Sequence, residues 1–476
     1  MPMDAQVAPE FPDSIEWLNL SEPLRMAQLR GRVCALAFIN AGSAWSMQRL
    51  HDLVTLLGRH RERLNVVAVH VPRFEHERDP RRVLKTLRRH DFQFPLGHDP
   101  NWTLWQHYDV QAWPTVVLID GDGKVCGRLV GDGPLRDLDA QVADLVRALV
   151  PQSLNPQPIE LRRGGEPALP LRFPVGLAVS GNYLYVADTG HNRVLECDQA
   201  GRILRQFGSG GVGFIDGPME LAAFNRPSRL AVERDLLYVS DTGNHAVRRI
   251  QLRSGDIDTL FGAGRPGTPA DGAVADPRAV TIDTPTGLAL AAGRLFLATS
   301  GDNRIWSFGL GDHTLRCLAG SGRLEVADGT GSEASFAQPV ALAAVQQMVY
   351  VCDSAGSAIR AVNARTGVVQ TLVGRNPWEF GAEDGARSAA LLQQPLALAL
   401  DPESPRLWIA DSGNNRLRVL RLGGGEVSTF ELPRPLHGPA GMAMAPGVAW
   451  IADTDAHAVL RLDLVSGDLH HIPIGE

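Results

Sequence analysis

At 476 residues the chain is too long for one hydrophobic core and calls for two or three domains. Its 44% apolar and 21% charged residues are ordinary for a globular protein, and no apolar run is long enough to span a membrane. A net charge of −7 excludes a broadly basic, nucleic-acid-binding surface.

The first residues, Met1 to Leu18, lack a basic start followed by an apolar core, so no secretory leader is expected. From there to residue 150, strand and helix signals alternate. Val33–Ile39 reads as a buried strand and Met47–His60 as a helix. Leu64–Val71 is a second apolar strand and Pro80–His90 a basic helix. Trp102–Tyr108 is a short helix, and Val116–Asp120 and Val125–Val130 are strands joined by an Asp122-Gly123 turn. Leu135–Leu149 closes as a helix. The alternation indicates an α/β sandwich.

The stretches "LRGRVCALAFINAGSAWS" and "FPLGHDPNWTLWQHYDVQAWPTVVLIDGDGKV" resemble the thioredoxin (redoxin-type) fold across nearly all of residues 15–150. By that resemblance Trp113-Pro114-Thr115 stands at the family's cis-proline motif, and Ser43 and Ser46 stand at the two redox cysteines. Ala37 falls where the family carries a buried acid. Thiol–disulfide exchange needs a thiolate and a sulfur leaving group, and a serine hydroxyl supplies neither. A nucleophilic Ser43 would need a base, and His51 is two helical turns away, roughly 12 Å along the axis. The simpler reading is that Ser43 or Ser46 caps the helix. The resemblance also implies a groove for an extended peptide beside the cis-proline, flanked by Trp45 and Trp113. Packing of both indoles within the protein is the alternative.

Residues 151–158, "PQSLNPQP", read as a semi-rigid linker. Beyond them, in residues 159–476, the chain repeats. "YVADTGHNRV", "YVSDTGNHAV", "FLATSGDNRI", "YVCDSAGSAI", "WIADSGNNRL" and "WIADTDAHAV" place equivalent positions at 188, 241, 299, 353, 411 and 453. Six units of four short strands make an all-β six-bladed propeller. Residues 159–163, "IELRR", have strand character and are expected near the seam between first and last blades.

The repeats resemble NHL repeats, with Thr299 replacing the aspartate in the third. Asp188, Asp241, Asp353, Asp411 and Asp453 are read as structural turn residues. His191, His245 and His457 fall where the repeat tolerates histidine, so no metal site is assigned. The connectors after blades one to four each carry Asp-Gly, at Asp216, Asp271, Asp328 and Asp384. Four decorated loops on one rim make a candidate binding face; the alternative is that they are blade closures plugged by Phe224, Phe336 and Leu392.

The five cysteines form no C-x-x-C pair and lie mostly in apolar runs. That indicates buried free thiols, a reducing compartment and a cytoplasmic location. The whole order resembles NHL-repeat-containing proteins with an amino-terminal thioredoxin-like domain. Fuller members have C-C-I-N-C at the first site and a further β domain after the propeller, which is not seen here before Glu476. The reading is a binding or scaffold protein with no catalytic residues, no cofactor and a protein or peptide partner, not nucleic acid or membrane. The alternatives are a thiol–disulfide oxidoreductase by descent and a propeller lyase or hydrolase. Oligomeric state stays open.

Overall fold

The computed structural model describes residues 6–150, 159–162 and 166–475; the expected linker at 151–158 lies outside them. The chain folds as two units, Met1–Pro167 and Ala168–Glu476.

The first unit is a six-stranded sheet in the order β1-β4-β3-β2-β5-β6. Its elements are β1 (Glu16–Trp17), β2 (Val33–Ile39), α1 (Ala44–Arg59), β3 (Leu64–His70), α2 (Pro80–Arg88) and β4 (Leu96–His98), followed by α3 (Thr103–His107), β5 (Thr115–Ile119), β6 (Val125–Val130) and α4 (Leu135–Ala148). The β2 run is apolar at every position because both faces are covered. Val33, Ala35, Ala37 and Ile39 pack with Leu50, Leu53, Leu87 and Val142 of the helices. Cys34, Leu36 and Phe38 point to the opposite core with Leu104, Trp105 and Tyr108. Two elements escape the sequence reading, β1 and β4. At two and three residues they are too short to show an alternation.

Residues 159–162, expected near the propeller seam, pair instead within the first unit. Leu161 bridges to Leu20, and the Arg162 N–H donates to the Asn19 carbonyl at 2.7 Å. Ile159 and Leu161 pack on the first unit's core, which is what makes this segment part of it. Glu166, almost fully buried, accepts from Lys85 at 2.5 Å and Arg88 at 3.0 Å, tying the segment to α2.

The second unit contains six antiparallel sheets arranged as a six-bladed propeller. In blade 1 the strands are Pro174–Ser180, Tyr183–Asp188, Arg193–Asp198 and Ile203–Phe207. The innermost strands of the other blades are Pro227–Glu233, Pro285–Ala291, Pro339–Val345, Ala397–Leu400 and Pro439–Ala445. Every pair of neighbouring blades shares one apolar core, the sixth and first included, where Leu177, Val186 and Leu195 meet Ala443, Trp450 and Val459. Each strand exposes alternate side chains to two different neighbours, so blades are stable only in the ring. The ring's seam is reinforced by Gly475, whose carbonyl accepts from Ile203 N–H at 2.7 Å. Among the described residues no helix is long and apolar enough to cross a membrane.

Blades 3, 4 and 5 carry a fifth, two-residue strand that the repeat spacing does not show. Gly272–Ala273, Gly329–Thr330 and Gly385–Ala386 pair along the outer strands of their blades, and Gly217 makes the same bridge to Ile257 in blade 2. These are the Asp-Gly connectors. Their glycines have φ of +137°, +144°, +157° and +128°, a region closed to other residues, which accounts for the recurring Asp-Gly.

Candidate functional site

In the first unit, Phe38 of β2 pairs with Thr115 of β5, so the loop 40–43 and Trp113-Pro114 leave the sheet at the same end. The Trp113-Pro114 bond is cis. Ser43 is the amino-cap of α1. Its Oγ accepts the Ser46 N–H at 3.3 Å, which starts the helix at Ala44 rather than three residues later. Ser46 is fully buried, and its Oγ accepts the Asn40 N–H at 3.2 Å. Both hydroxyls therefore hold the loop onto the helix.

Behind them stands a polar network with no sequence signature. Buried Asn40 donates from Nδ2 to Glu77 Oε2 at 2.7 Å and accepts the Gly42 N–H at 3.0 Å. The same Glu77 oxygen accepts the N–H groups of Arg73 and Phe74 at 2.8 and 3.0 Å. Ala37 is fully buried and places no acid on the site. Arg49 on α1, buried, donates to the carbonyls of Gly131 and Gly133 at 3.0 and 2.7 Å, while Gly131 N–H donates to Pro114 O at 2.8 Å. The loop beside the cis-proline is thus pinned from two sides.

Trp45 and Trp113 are half-buried and Pro114 is buried. Trp113 stacks into a local cluster, 4.9 Å from Trp105 and 5.2 Å from Trp102 between ring centres. His51 faces away from the serines, its Nε2 lying 3.1 Å from His90 Nδ1. The five cysteines form no disulfide. Burial pushes the Cys34 thiol up to about 12 and the Cys317 thiol up to about 11, so neither offers a thiolate.

In the second unit, the turn between the second and third strands of each blade is built from side-chain bonds. Asp188, Asp241, Asp353, Asp411 and Asp453 each accept a backbone N–H from the segment entering their own blade. The next residue reaches the following blade. Thr189 and Thr242 donate to the carbonyls of Pro227 and Pro285, and Thr454 to that of Pro174 across the seam, each at 2.7 Å.

A thioredoxin-like family model matches residues 31–125, and an NHL-repeat model matches residues 171–197 and 224–250. The chain therefore carries a thioredoxin-like domain followed by NHL repeats. It is 31% identical over 500 residues to the Arabidopsis thaliana protein SUPPRESSOR OF QUENCHING 1, chloroplastic, covering 98% of this chain but 47% of that one. It is 28% identical to the Homo sapiens NHL repeat-containing protein 2, over 98% of this chain and 71% of that protein. The chain thus spans about half of the plant relative. Its first domain is 24% identical to the Bacillus subtilis thiol-disulfide oxidoreductase YkuV over 29% of this chain.

The NHL repeat also carries a blade-to-blade clasp. Asn192, His245, Asn303, Ser357, Asn415 and His457, at one equivalent position, each accept an N–H from the next blade: from Arg226, Thr284, Gln338, Gln394, Gly438 and Phe173, at 2.9 to 3.2 Å. Two of the three histidines singled out in the sequence are clasp residues. His191 instead bonds Asp188 through Nδ1 at 2.8 Å.

The rim aspartates meet arginines that the sequence reading did not connect to them. Fully buried Arg248 joins Asp241 at 2.9 Å to Asp216 at 2.6 Å. Arg360 joins Asp353 at 3.2 Å to Asp328 at 2.9 Å, and Arg418 joins Asp411 at 2.9 Å to Asp384 at 2.6 Å. Thr259, Thr371 and Thr429 of the outer strands donate to the same rim carboxylates. Burial works upward on Asp216, Asp328 and Asp384, but the arginine and threonine bonds carry them below the usual carboxylate range. Among the described residues Asp271 accepts only the Cys317 N–H, at 2.8 Å. Phe224, Phe336 and Leu392 fill the gaps between blades, fully buried. About half of the Asp328 and Asp384 side-chain surface still faces solvent.

Proposed function

We propose that the protein is a non-catalytic recognition scaffold, in which the thioredoxin-like domain receives an extended peptide beside Trp113-Pro114 and the propeller rim carries a second protein contact. The observation that supports the first half is the use of both serine hydroxyls. Ser43 caps α1 and Ser46 holds Asn40, so the two positions serve the loop and present no sulfur to exchange. The groove keeps what binding requires: a pinned loop at Gly131–Gly133, a cis-proline strand start, and partly exposed side chains at Trp45 and Trp113. For the rim, support comes from four parallel loops, three of them held by the buried arginines Arg248, Arg360 and Arg418, with the Asp328 and Asp384 carboxylates half open to water.

The test has two arms. Purified full-length protein should reduce insulin disulfides no faster than a protein-free blank; a rate above the blank, abolished by thiol alkylation, overturns the redox-inactive reading. Extended peptides from a random library should bind in a manner lost in Trp113→Ala with the fold intact. A library that yields no Trp113-dependent binder overturns the groove.

A further inference from the structure

The innermost strands of the six blades run past the propeller axis at the same level. Five begin at a proline, Pro174, Pro227, Pro285, Pro339 and Pro439, and the strand of blade 5 begins two residues after Pro395. The residue two places after each proline is Gly176, Gly287, Ala341, Ala397 or Gly441 in five blades, and Arg229 in the second. Space at this level is short. A Cβ on Gly441 would lie 1.7 Å from the Val175 carbonyl oxygen, and one on Gly176 would lie 2.6 Å from that of Ser228. Five small residues therefore leave the centre to one long side chain.

Arg229 uses that centre fully. Its Nη2 donates to Leu396 O at 2.6 Å and its Nη1 to Ala440 O at 2.7 Å. Nη1 also meets Val175 O at 3.4 Å, and Nε donates to Val340 O at 3.2 Å. The four acceptors belong to blades 5, 6, 1 and 4, and all occupy the same position, one residue after the proline. The equivalent carbonyl of blade 3, at Thr286, accepts Ser240 Oγ at 2.5 Å. No ion pair to a carboxylate is formed by Arg229 among the described residues. The nearby Cys352 thiol is pushed up by burial and donates to Pro395 O at 3.0 Å, so it supplies no counter-charge. Arg229 is partly exposed, and burial lowers its pKa to about 10, so the guanidinium is charged at neutral pH.

Inward-pointing main-chain carbonyls are hard oxygen donors, the arrangement that selects a cation. We propose that the axial carbonyl ring of this propeller is a cation site permanently occupied by the chain's own Arg229 guanidinium, which locks four blades to the second and bars a ligand from passing along the axis. A planar guanidinium suits this better than a point charge, because its donors fan out to several blades at once. Two consequences follow for the native molecule. The axis takes no metal ion, and recognition by the propeller falls to its rims.

The test is chemical rescue of Arg229→Gly, a substitution that copies the residue found in three other blades. The variant should melt about 5–10 °C below the native chain. Guanidinium chloride at low millimolar concentration should restore much of that loss saturably, whereas equal sodium chloride should not, and the native chain should show no such gain. A variant that melts with the native chain, or one that responds equally to both salts, overturns the proposal. Should Arg229→Gly fail to fold, Arg229→Lys and Arg229→Gln decide. Lysine should melt clearly above glutamine, and equal melting overturns the axial-cation role.

Discussion

Blades 2, 4 and 5 and blade 3 solve one packing problem in two ways. The first three bury an arginine between a repeat aspartate and a rim aspartate, with an outer-strand threonine completing the set. Blade 3 carries Thr299 for the aspartate, Trp306 for the arginine and Cys317 for the threonine. The Trp306 indole N–H donates to Thr299 Oγ1 at 3.1 Å, and Asp271 turns to the Cys317 backbone. Beside Trp306 the plug is Ile282, smaller than the Phe224 and Phe336 that stack under Arg248 and Arg360. The replacement is concerted because a half-exchanged set would leave a charge buried alone, which costs several kcal/mol. Blades 1 and 6, with no Asp-Gly connector before them, carry leucine at the arginine position, Leu195 and Leu460. Arginine and threonine therefore occur together and only where a rim loop is present, while blade 3 keeps its rim loop with Thr299, Trp306 and Cys317 in their place.

The largest expected effect comes from breaking the set in blade 4. Arg360→Ala leaves the fully buried Asp353 carboxylate without its cation, and should cost about 3–5 kcal/mol in urea unfolding. Burial already pushes Asp353 up to about 6 against the pull of Arg360, so little margin remains. Grafting the blade 3 solution, Asp353→Thr with Arg360→Trp, should recover at least half of that loss. A graft no more stable than Arg360→Ala would break the idea of an exchangeable unit.

The converse substitution in blade 3, Thr299→Asp, should cost about 2–4 kcal/mol. It places a carboxylate at a fully buried position whose side-chain neighbours are the Trp306 indole N–H and the Asp302 carboxylate, which now accepts the Thr299 hydroxyl. Adding Trp306→Arg should return stability, since Asp271 already stands on the rim. Thr299→Asp at native stability would show that the turn tolerates a charge by itself.

These contrasts show what was legible in the sequence. The spacing of the repeated strand-and-turn stretches located every blade, and the Ser-x-x-Ser and Trp-Pro-Thr stretches located the start of α1 and the cis-proline, because those signals are local. The arginines were within reach: they sit seven residues after Asp241, Asp353 and Asp411, and are lacking where no Asp-Gly precedes the blade. Arg229 also left a trace, as the one large residue in a column of glycine and alanine. The Asn40–Glu77 bond left none. It joins residues 37 apart through a loop whose path depends on the whole sheet. Residues 159–162 were misplaced for a related reason, since alternation shows that a segment pairs but not with which edge.

A smaller effect separates the clasps. Asn192, Asn303 and Asn415 accept through an amide oxygen, which has no titration, whereas His245 accepts through Nδ1. Burial, with Arg226 next, lowers His245 to about 4, while Asp283 Oδ1 lies 3.7 Å from the same Nδ1. The folded state thus stays neutral where the unfolded chain takes up a proton below about 6.5. Stability supplied by this group is complete above that value and is lost as pH falls from 6.5 toward 4. His245→Asn keeps the clasp and removes the titration. Between pH 7.5 and 5.5 the variant should gain about 1 kcal/mol relative to the native chain in urea unfolding. A gap that does not change with pH would mean the imidazole is not the acceptor.

The smallest effect bears on recognition. Asp328 accepts from Arg360 at 2.9 Å and Thr371 at 2.7 Å, with half its side chain in water, while exposed Asp271 accepts the Cys317 backbone N–H. Asparagine keeps an acceptor oxygen and the same shape, so each substitution removes little besides charge. Asp328→Asn should cost about 1 kcal/mol or less, given its exposure, and the cost should shrink at 1 M salt. Asp271→Asn should be neutral to within about 0.5 kcal/mol. Equal costs would mean that the rim charge adds nothing to holding Arg360. The pair also divides folding from recognition. A partner whose binding weakens in Asp271→Asn, at unchanged stability, reads the rim carboxylate directly. A partner affected only by Asp328→Asn responds to the loop that Arg360 holds in place.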